Sequence, residues 1–315
     1  MNDLLHRFPF PFTNDVYRYS NNSIPLEHPV CFEITPEYPQ EIERKRQLLN
    51  EYHNRCYQSL PHTREAQWEI VELVLDQMAL YHPESFQVDK QEGDCLFHNR
   101  LTGETQRFTI GDDSSLPCEP LDFIGRHLQE DCILMMQRDG DLFLDAGQLC
   151  FPANWSLQFN TGMNFLQIHS PIPGFNDQGL ADRIRAFLMR IEAGQPWIRR
   201  NWSLNAGRRL DTSLETFHLW GPDRKKVTPE NAGEFVHLRV EVQKLFRLPR
   251  SNGLLFTIHT HLISLEELSR NRAWTEQLYR VLCELPDFIA DYKGILLYKE
   301  ATLSYLENIL AREAL

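Results

Sequence analysis

The first third of the chain alternates between helical spacing of apolar residues and short, interrupted apolar runs. Recurrence every three or four positions predicts helices over Pro39–Leu60 and Thr63–Tyr81. The forty residues before them are rich in proline, asparagine and aromatic side chains, which predicts a wrapping arm rather than a regular element. Residues 86–118 carry short runs separated by glycine and aspartate, typical of hairpin strands. Pro120 is expected to open a helix that reaches about Met136.

The remainder of the chain is predicted to be rich in strands and to end in helices. Alternation of side chains predicts a strand over Asp141–Phe151, and an apolar stripe predicts a helix between Asp177 and Glu192, with Gly194 as its C-cap. The later predicted elements are strands at Trp197–Leu204, Glu234–Leu248 and Gly253–Ile263, a helix launched by the Ser264/Glu267 capping box and running to about Leu285, and a helix over Thr302–Ala314.

Helices at both ends of a mainly antiparallel sheet predict an α+β fold. With no low-complexity linker and no internal repeat, we expect one integrated domain over residues 1–315. Within it, residues 1–40 form the arm, about 85–265 the sheet core and 265–315 the C-terminal helices.

Charge and composition exclude several classes of partner. The 315 residues include 44 acidic and 32 basic side chains, for a net charge of −12, so a nucleic-acid partner is not expected. No stretch approaches the roughly 20 apolar residues of a membrane helix, and Asn2 and Asp3 stand where a secretory signal carries positive charge. The seven cysteines are scattered and never spaced as CxxC, which argues against disulfide frameworks, zinc ribbons and cysteine-held clusters. A cytoplasmic, reducing location is expected.

The short motifs of common enzymes are absent from the sequence. It contains no GxGxxG after a strand, no phosphate-binding GxxxxGK[ST], no GxSxG and no HExxH. An enzyme of this kind would rely on a bound cofactor whose site leaves no short universal pattern.

One histidine lies in an unusual context. His169 ends an apolar run, and Pro171 and Pro173 restrict the backbone directly after it. Such a segment presets the direction of a side chain, as an axial metal ligand requires. The alternative is a buried core histidine that is hydrogen-bonded to a carbonyl.

Four segments in order resemble one family. They are FPANW at 151–155, IHSPIPG at 168–174, RNWSL at 200–204, and the block from Leu238 to Pro249 followed by Leu255–Ile258. Together they are similar to the haem-dependent oxidative N-demethylases, the haem-binding alpha subunit of dimethylamine monooxygenase. The likeness runs from about Phe32 to the Tyr292-Lys293-Gly294 stretch.

The resemblance implies a PAS-like haem-binding fold and a monooxygenase activity. It implies haem b with its iron, electrons from a separate NADPH/FMN/iron–sulfur reductase subunit, O2 as oxidant, and a small secondary amine such as dimethylamine as substrate. The products would be the shorter amine and formaldehyde, which a folate-binding subunit can capture.

On this resemblance the first candidate for the iron ligand is His169. Its rivals are His259 and His261, although strand parity assigns Phe256, Ile258 and Thr260 to the core face and both histidines to an outward face.

Arg239, Glu241 and Gln243 share one strand face, which is either a solvent-facing polar row or a lining of the haem site. In the second case Arg239 donates to dioxygen and Glu241 balances its charge or accepts from a substrate ammonium. Thr260 is a further candidate donor. Parity predicts that it lies on the other face, so both assignments cannot hold unless the sheet curves or the strands are offset. Arg200 is assigned to a haem propionate and Trp202 to the porphyrin edge, the alternatives being a surface arginine and a core tryptophan.

The sequence departs from the family pattern at two places. The segment 159–162 is more polar and less basic than expected, and histidines stand at 259 and 261 where other side chains are expected. These differences leave the haem assignment in place and make dimethylamine a default substrate. Two other functions compete with the monooxygenase: a haem-binding PAS-type gas or redox sensor without catalysis, and a relative that has lost haem and acts as a scaffold. A short segment after the last helix disfavours the sensor, because sensors usually carry an output domain or a coupling helix.

Overall fold

The computed structural model describes residues 3–14, 17, 22–174 and 179–312. Its strands are β1 Ile24–Pro25, β2 Tyr57–Ser59, β3 Phe86–Gln91, β4 Asp94–Asn99, β5 Glu104–Thr109, β6 Asp131–Arg138, β7 Asp141–Gln148, β8 Trp197–Ala206, β9 Val236–Arg247 and β10 Leu254–Ser264.

Helices surround these strands and close the chain. They are α1 Asp3–Arg7, α2 Tyr38–Glu51, α3 His53–Cys56, α4 Arg64–Tyr81, α5 Pro120–Gly125, α6 Leu157–Asn160, α7 Phe165–His169, α8 Leu180–Met189, α9 Phe217–Trp220, α10 Ala232–Phe235, α11 Leu265–Leu268, α12 Arg272–Glu284, α13 Asp287–Tyr292 and α14 Lys299–Arg312. Short 3-10 helices lie at Pro61–Thr63, Asp113–Ser115, Gly221–Lys226 and Leu296–Tyr298. Over these ranges, no helix is both long and apolar enough to cross a membrane.

The main sheet is antiparallel and has the strand order β1-β8-β9-β10-β6-β7-β2. Strands β3, β4 and β5 form a separate three-stranded meander, as the punctuated runs predict. The predicted α+β class is therefore confirmed.

The two faces of strand β9 pack against different groups of helices. Val236, Leu238 and Val240 pack with Leu278 of α12 and other apolar residues of the C-terminal helices. On the other face, Leu245 packs against residues of α7 and α8. Because successive side chains of a strand alternate, every odd-numbered residue from 237 to 247 points toward the α7–α8 side.

The helix predicted from Pro120 to Met136 is wrong beyond its first turns. Helix α5 ends at Gly125, and Asp131–Arg138 is strand β6, which pairs with both β7 and β10. The first residues of β6 are buried throughout, so this apolar run has no alternation. A short, fully buried strand cannot be distinguished from a buried helix by periodicity alone.

Two other helix predictions are too long. The Ser264/Glu267 pair caps α11, with Glu267 N donating to Ser264 Oγ over 3.1 Å, but α11 ends at Leu268 and α12 begins after the Asn271 cap. The helix predicted to reach Leu60 ends at Glu51, and the chain continues through α3 into β2.

Helix α8 begins at Leu180, whereas the predicted start at Asp177 lies outside the described residues.

Candidate functional site

His169 closes a short helix whose start is fixed by local hydrogen bonds. Asn164 and Gln167 form a capping box, in which each side chain accepts from the other residue's backbone N–H at 2.9 Å. Helix α7 then ends at His169, and its imidazole Nδ1 lies 2.8 Å from the carbonyl oxygen of Phe165. The side chain direction is thus set by the capped helix turn as well as by the prolines that follow.

The imidazole of His169 is in the form that a metal ligand requires. A carbonyl oxygen only accepts, so Nδ1 carries the proton and Nε2 carries the lone pair. Burial lowers the pKa of His169 to about 4, and the Arg199 charge acts in the same direction. The ring is therefore neutral at neutral pH, with Nε2 as its basic nitrogen.

Strand β8 sends Arg199 and Asn201 to one face and Arg200 to the other. Asn201 is opposite Glu241 of β9, and its Nδ2 donates to Glu241 Oε2 over 3.2 Å. Arg199 is opposite Gln243 and is half-buried, whereas Arg200 is exposed. Arg199, the residue just before the RNWSL segment, is therefore the arginine that shares a face with Glu241, and Arg200 is not.

Glu241 receives hydrogen bonds from three side chains. Besides Asn201, Arg239 Nε donates to Oε1 over 3.2 Å and Gln243 Nε2 donates to Oε2 over 2.9 Å. Arg239, Glu241 and Gln243 are all buried, so the alternative of a solvent-facing polar row is excluded.

Arg239 is fully buried and its remaining donors reach protein acceptors. Its Nη1 donates to Leu210 O at 2.8 Å, and its Nη2 donates to Phe151 O at 2.5 Å and to Thr260 Oγ1 at 3.1 Å. Thr260 shares this face because it is opposite Glu241 in the β9–β10 register. The expectation that Thr260 and Arg239 lie on opposite faces is wrong, since the pairing offsets odd residues of β9 against even residues of β10.

Lys293, which follows α13, is the third cation of this group of residues. Its Nζ donates to Trp202 O over 2.7 Å and lies 4.9 Å from the centre of the Trp202 ring. Burial lowers the pKa of Lys293 to about 8, with Glu241 opposing and Arg199 adding to the shift. Burial also lowers the pKa of Arg199, again opposed by Glu241.

We call the following residues the Glu241 cluster, in which His169 is included because the charge of Arg199 acts on its pKa: His169, Arg199, Asn201, Arg239, Glu241, Gln243 and Lys293. Its described charges are three cations and one carboxylate, so it carries an excess of two positive charges. Arg199 Nε is buried without a hydrogen-bond partner. A buried, unpaired donor atom of a charged group is costly and favours an anionic ligand. A neutral imidazole beside a double positive excess fits the iron and the two propionates of a haem.

Sequence reasoning missed Arg199 and Lys293. Because side chains alternate along a strand, Arg199 must share a face with Asn201. The sequence does not show that Asn201 faces Glu241, so this pattern alone could not assign Arg199 to the site. Lys293 is 91 residues from the Trp202 carbonyl that it contacts, and no local pattern reports such a contact.

His259 and His261 are not on an outward face, contrary to the parity argument. Both are buried or nearly so, on the face of β10 opposite Thr260. The N-terminal segment covers them, with Glu33 Oε2 3.6 Å from His259 Nδ1 and the Phe8 ring 6.5 Å from the His261 ring. The sheet has two covered faces at this point, which alternation alone could not reveal.

Comparison with known protein families gives a match over most of the chain. A family model described as haem-dependent oxidative N-demethylase, alpha subunit-like, matches residues 25–303. The match spans most of the chain and includes every member of the Glu241 cluster. The chain therefore belongs to the haem-dependent oxidative N-demethylase, alpha subunit-like family.

Proposed function

We propose that this chain binds haem b at the Glu241 cluster and is the haem-bearing subunit of a monooxygenase that demethylates a small secondary amine such as dimethylamine. The family description supports the reaction class. The cofactor proposal is carried by one observation: a neutral His169 imidazole with a basic Nε2 belongs to a cluster with two unbalanced positive charges. In this proposal the main sheet is the counterpart of a PAS-like haem-binding sheet.

His169 Nε2 is the proposed iron ligand. The Nδ1–H bond to Phe165 O orients the ring and increases the basicity of Nε2, as a carbonyl partner does for metal-bound histidines. Loss of that orientation would weaken binding even with the imidazole present.

Arg199 and Lys293 are the proposed partners of the two propionates. Guanidinium and ammonium groups bind carboxylates with charge-assisted hydrogen bonds, which are stronger in buried surroundings. Both side chains are half-buried and keep accessible surface for such a ligand. Trp202 shares the parity of Arg200 and is opposite Val240, so its ring lies on the face of the C-terminal helices and packs against Phe12. Neither Trp202 nor the exposed Arg200 is therefore assigned to the haem in this proposal.

Haem, when bound, supplies the activation of O2, with O2 and externally supplied electrons as co-reactants. Glu241 is the proposed acceptor for the substrate ammonium, because it is the carboxylate of the cluster. Arg239 orients that carboxylate through Nε, and its contact to Thr260 Oγ1 holds the hydroxyl on the same face. Arg239 is thus proposed to position Glu241 and Thr260. Because Thr260 Oγ1 accepts a hydrogen bond from Arg239, the hydroxyl of Thr260 can still donate its own proton to another acceptor.

Further subunits complete the proposal. Electrons would come from a separate reductase subunit that carries FMN and an iron–sulfur centre and uses NADPH. A folate-binding subunit would capture formaldehyde.

The test uses the full chain reconstituted with hemin. The dithionite-reduced protein is mixed with O2, dimethylamine and a chemical electron donor, because the reaction consumes two electrons per O2 and the ferrous haem supplies one. Methylamine and formaldehyde are then quantified after one turnover. Equal amounts of both products support the proposal, with Glu241→Gln raising the half-saturating amine concentration. Haem uptake with no spectral response to any methylated amine would indicate a sensor instead, and a chain that takes up no haem would overturn the proposal.

A further inference from the structure

Two histidines and a glutamate meet on the sheet face opposite the Glu241 cluster. His259 and His261 are two residues apart on β10, and their rings are 4.2 Å apart between centres. Glu33, from the segment between β1 and α2, reaches over them. One ligand atom from each of the three lies within 4.8 Å of the others. We call this group the arm cluster.

One nitrogen atom of each histidine in the arm cluster is buried without a hydrogen-bond partner. His259 Nδ1 and His261 Nε2 make no hydrogen bond, although His259 is only 2% exposed and the His261 side chain 12%. Both nitrogens lie close to one carboxylate oxygen, Glu33 Oε2, at 3.6 and 3.7 Å. Donor atoms on a tetrahedral ion with bonds of about 2.1 Å are separated by about 3.4 Å. The distances from these two nitrogens to Glu33 Oε2 are therefore too long for hydrogen bonds and close to those between ligands around one ion.

Negative charge is in excess around these nitrogens. Glu130 Oε1 lies 3.1 Å from His259 Nδ1, and Glu41 Oε2 lies 3.7 Å from His259 Nε2. Lys244 Nζ lies 3.4 Å from Glu33 Oε1. This one cation therefore faces three carboxylates, those of Glu33, Glu41 and Glu130. The other oxygen of Glu130, Oε2, is buried without a partner.

Two cations near the arm cluster are paired with other carboxylates. Arg7 pairs with Glu37, and Lys45 lies 3.8 Å from Asp131. Burial opposes a charge on His259, but Glu130, Glu33 and Glu41 outweigh it and raise the pKa of His259 well above its usual value. Without a metal, a proton on His259 takes over part of the charge balance.

We propose that Glu33, His259 and His261 bind a divalent transition-metal ion of the zinc type, separate from the haem site. Two imidazoles and one carboxylate are donors that suit Zn²⁺, Co²⁺ and Fe²⁺, whereas Ca²⁺ and Mg²⁺ prefer all-oxygen sets. The ion ties the N-terminal segment, through Glu33, to strand β10.

The site has room for an exchangeable ligand. A cavity of about 220 Å³ adjoins it and is lined by both histidines together with Arg7, Glu37 and Glu41 among others. Three protein ligands beside an accessible cavity leave a fourth position for water, the arrangement of zinc sites that bind small molecules.

The test is a Co²⁺ titration of the full chain without haem, after treatment with a chelator. One Co²⁺ per chain is expected, with the visible absorption of a tetrahedral ion, and Zn²⁺ displaces it. Loss of a residue that only hydrogen-bonds to a metal ligand weakens metal binding about 10- to 100-fold. His261→Ala and Glu33→Gln each remove a proposed ligand and should weaken Co²⁺ binding by more than that. His98→Ala, at a half-buried histidine of β4, should leave binding unchanged.

Folding of each variant is checked by circular dichroism. Glu33→Gln changes a half-buried side chain of the covering segment and keeps the inference testable if His261→Ala does not fold. In wild type the ion should also protect the N-terminal segment from proteolysis. A wild-type protein that binds no Co²⁺, or variants that bind it as tightly as wild type does, would show that the arm cluster is only an ion-pair network.

Discussion

Arg239 Nη2 donates to the carbonyl oxygen of Phe151 at 2.5 Å, which joins the middle of the main sheet to the segment that leaves β7. The same guanidinium holds Glu241 and Thr260. A single buried cation thereby fixes both the proposed amine-binding carboxylate and the first of the segments that resemble the family.

Replacement of Arg239 by methionine should destabilise the fold by about 3–5 kcal/mol, because it leaves the carboxylate of Glu241 buried without its ion-pair partner. The measurement is the free energy of unfolding in urea. Arg200→Met, at an exposed position of the neighbouring strand, should stay within about 0.5 kcal/mol of wild type. Adding Glu241→Gln to Arg239→Met should recover part of the loss, and a loss below about 1 kcal/mol for the single variant would contradict the ion-pair interpretation.

Arg199 and Arg200 form a matched pair for the propionate assignment. Arg199→Met should weaken hemin binding about 10- to 100-fold, the cost of one charge-assisted hydrogen bond. Arg200→Met should leave the dissociation constant of hemin unchanged. Equal effects of both variants, or a larger effect at Arg200, would contradict the assignment of Arg199 as the propionate partner and favour Arg200, which the sequence motif suggests.

The capping box of α7 should matter to haem binding without touching the ligand. Asn164→Ala should cost about 1 kcal/mol of stability, because one backbone N–H of the helix start loses its acceptor. It should also weaken hemin binding, since His169 ends the same five-residue helix. Ser156→Ala removes the cap of α6 and serves as the control. Equal hemin affinity in both variants would show that the cap of α7 does not influence the proposed role of His169 in haem binding.

His127 should make stability fall in acid. It lies between the rings of Phe97 and Phe123, at 4.9 and 5.4 Å, and burial together with Arg46 lowers its pKa to about 3. A histidine whose folded pKa lies below its unfolded value stabilises the fold above pH about 6.5, and that contribution is lost as the pH falls toward the folded pKa.

Urea unfolding at a series of pH values tests this with His127→Phe, which keeps the ring packing. Wild type should lose about 1.4 kcal/mol per pH unit relative to the variant below pH about 6. Parallel curves for the two proteins would show that His127 does not carry this dependence.

The sequence predicted the elements whose pattern is local. Strands β8, β9 and β10 lie within two residues of their expected ends, because alternation and turn residues report them directly. Strand β6 was mistaken for helix because burial on both faces removes the alternation.

The site was predictable only in part for the same reason. Arg239 and Glu241 share a face that parity assigns, whereas the placement of Thr260 beside them depends on the β9–β10 register. Likewise, the burial of His259 and His261 depends on Glu33 and Phe8, more than 200 residues away along the chain.

The central claim is that His169 holds haem iron, and the absorption spectrum of His169→Gly after incubation with hemin tests it most directly. Wild type and the control His218→Ala, at an exposed histidine, should take up one haem per chain with a single Soret band. His169→Gly should lose stoichiometric haem, and free imidazole should restore both the haem and the band. A glycine variant that keeps full haem with an unchanged spectrum would contradict the account.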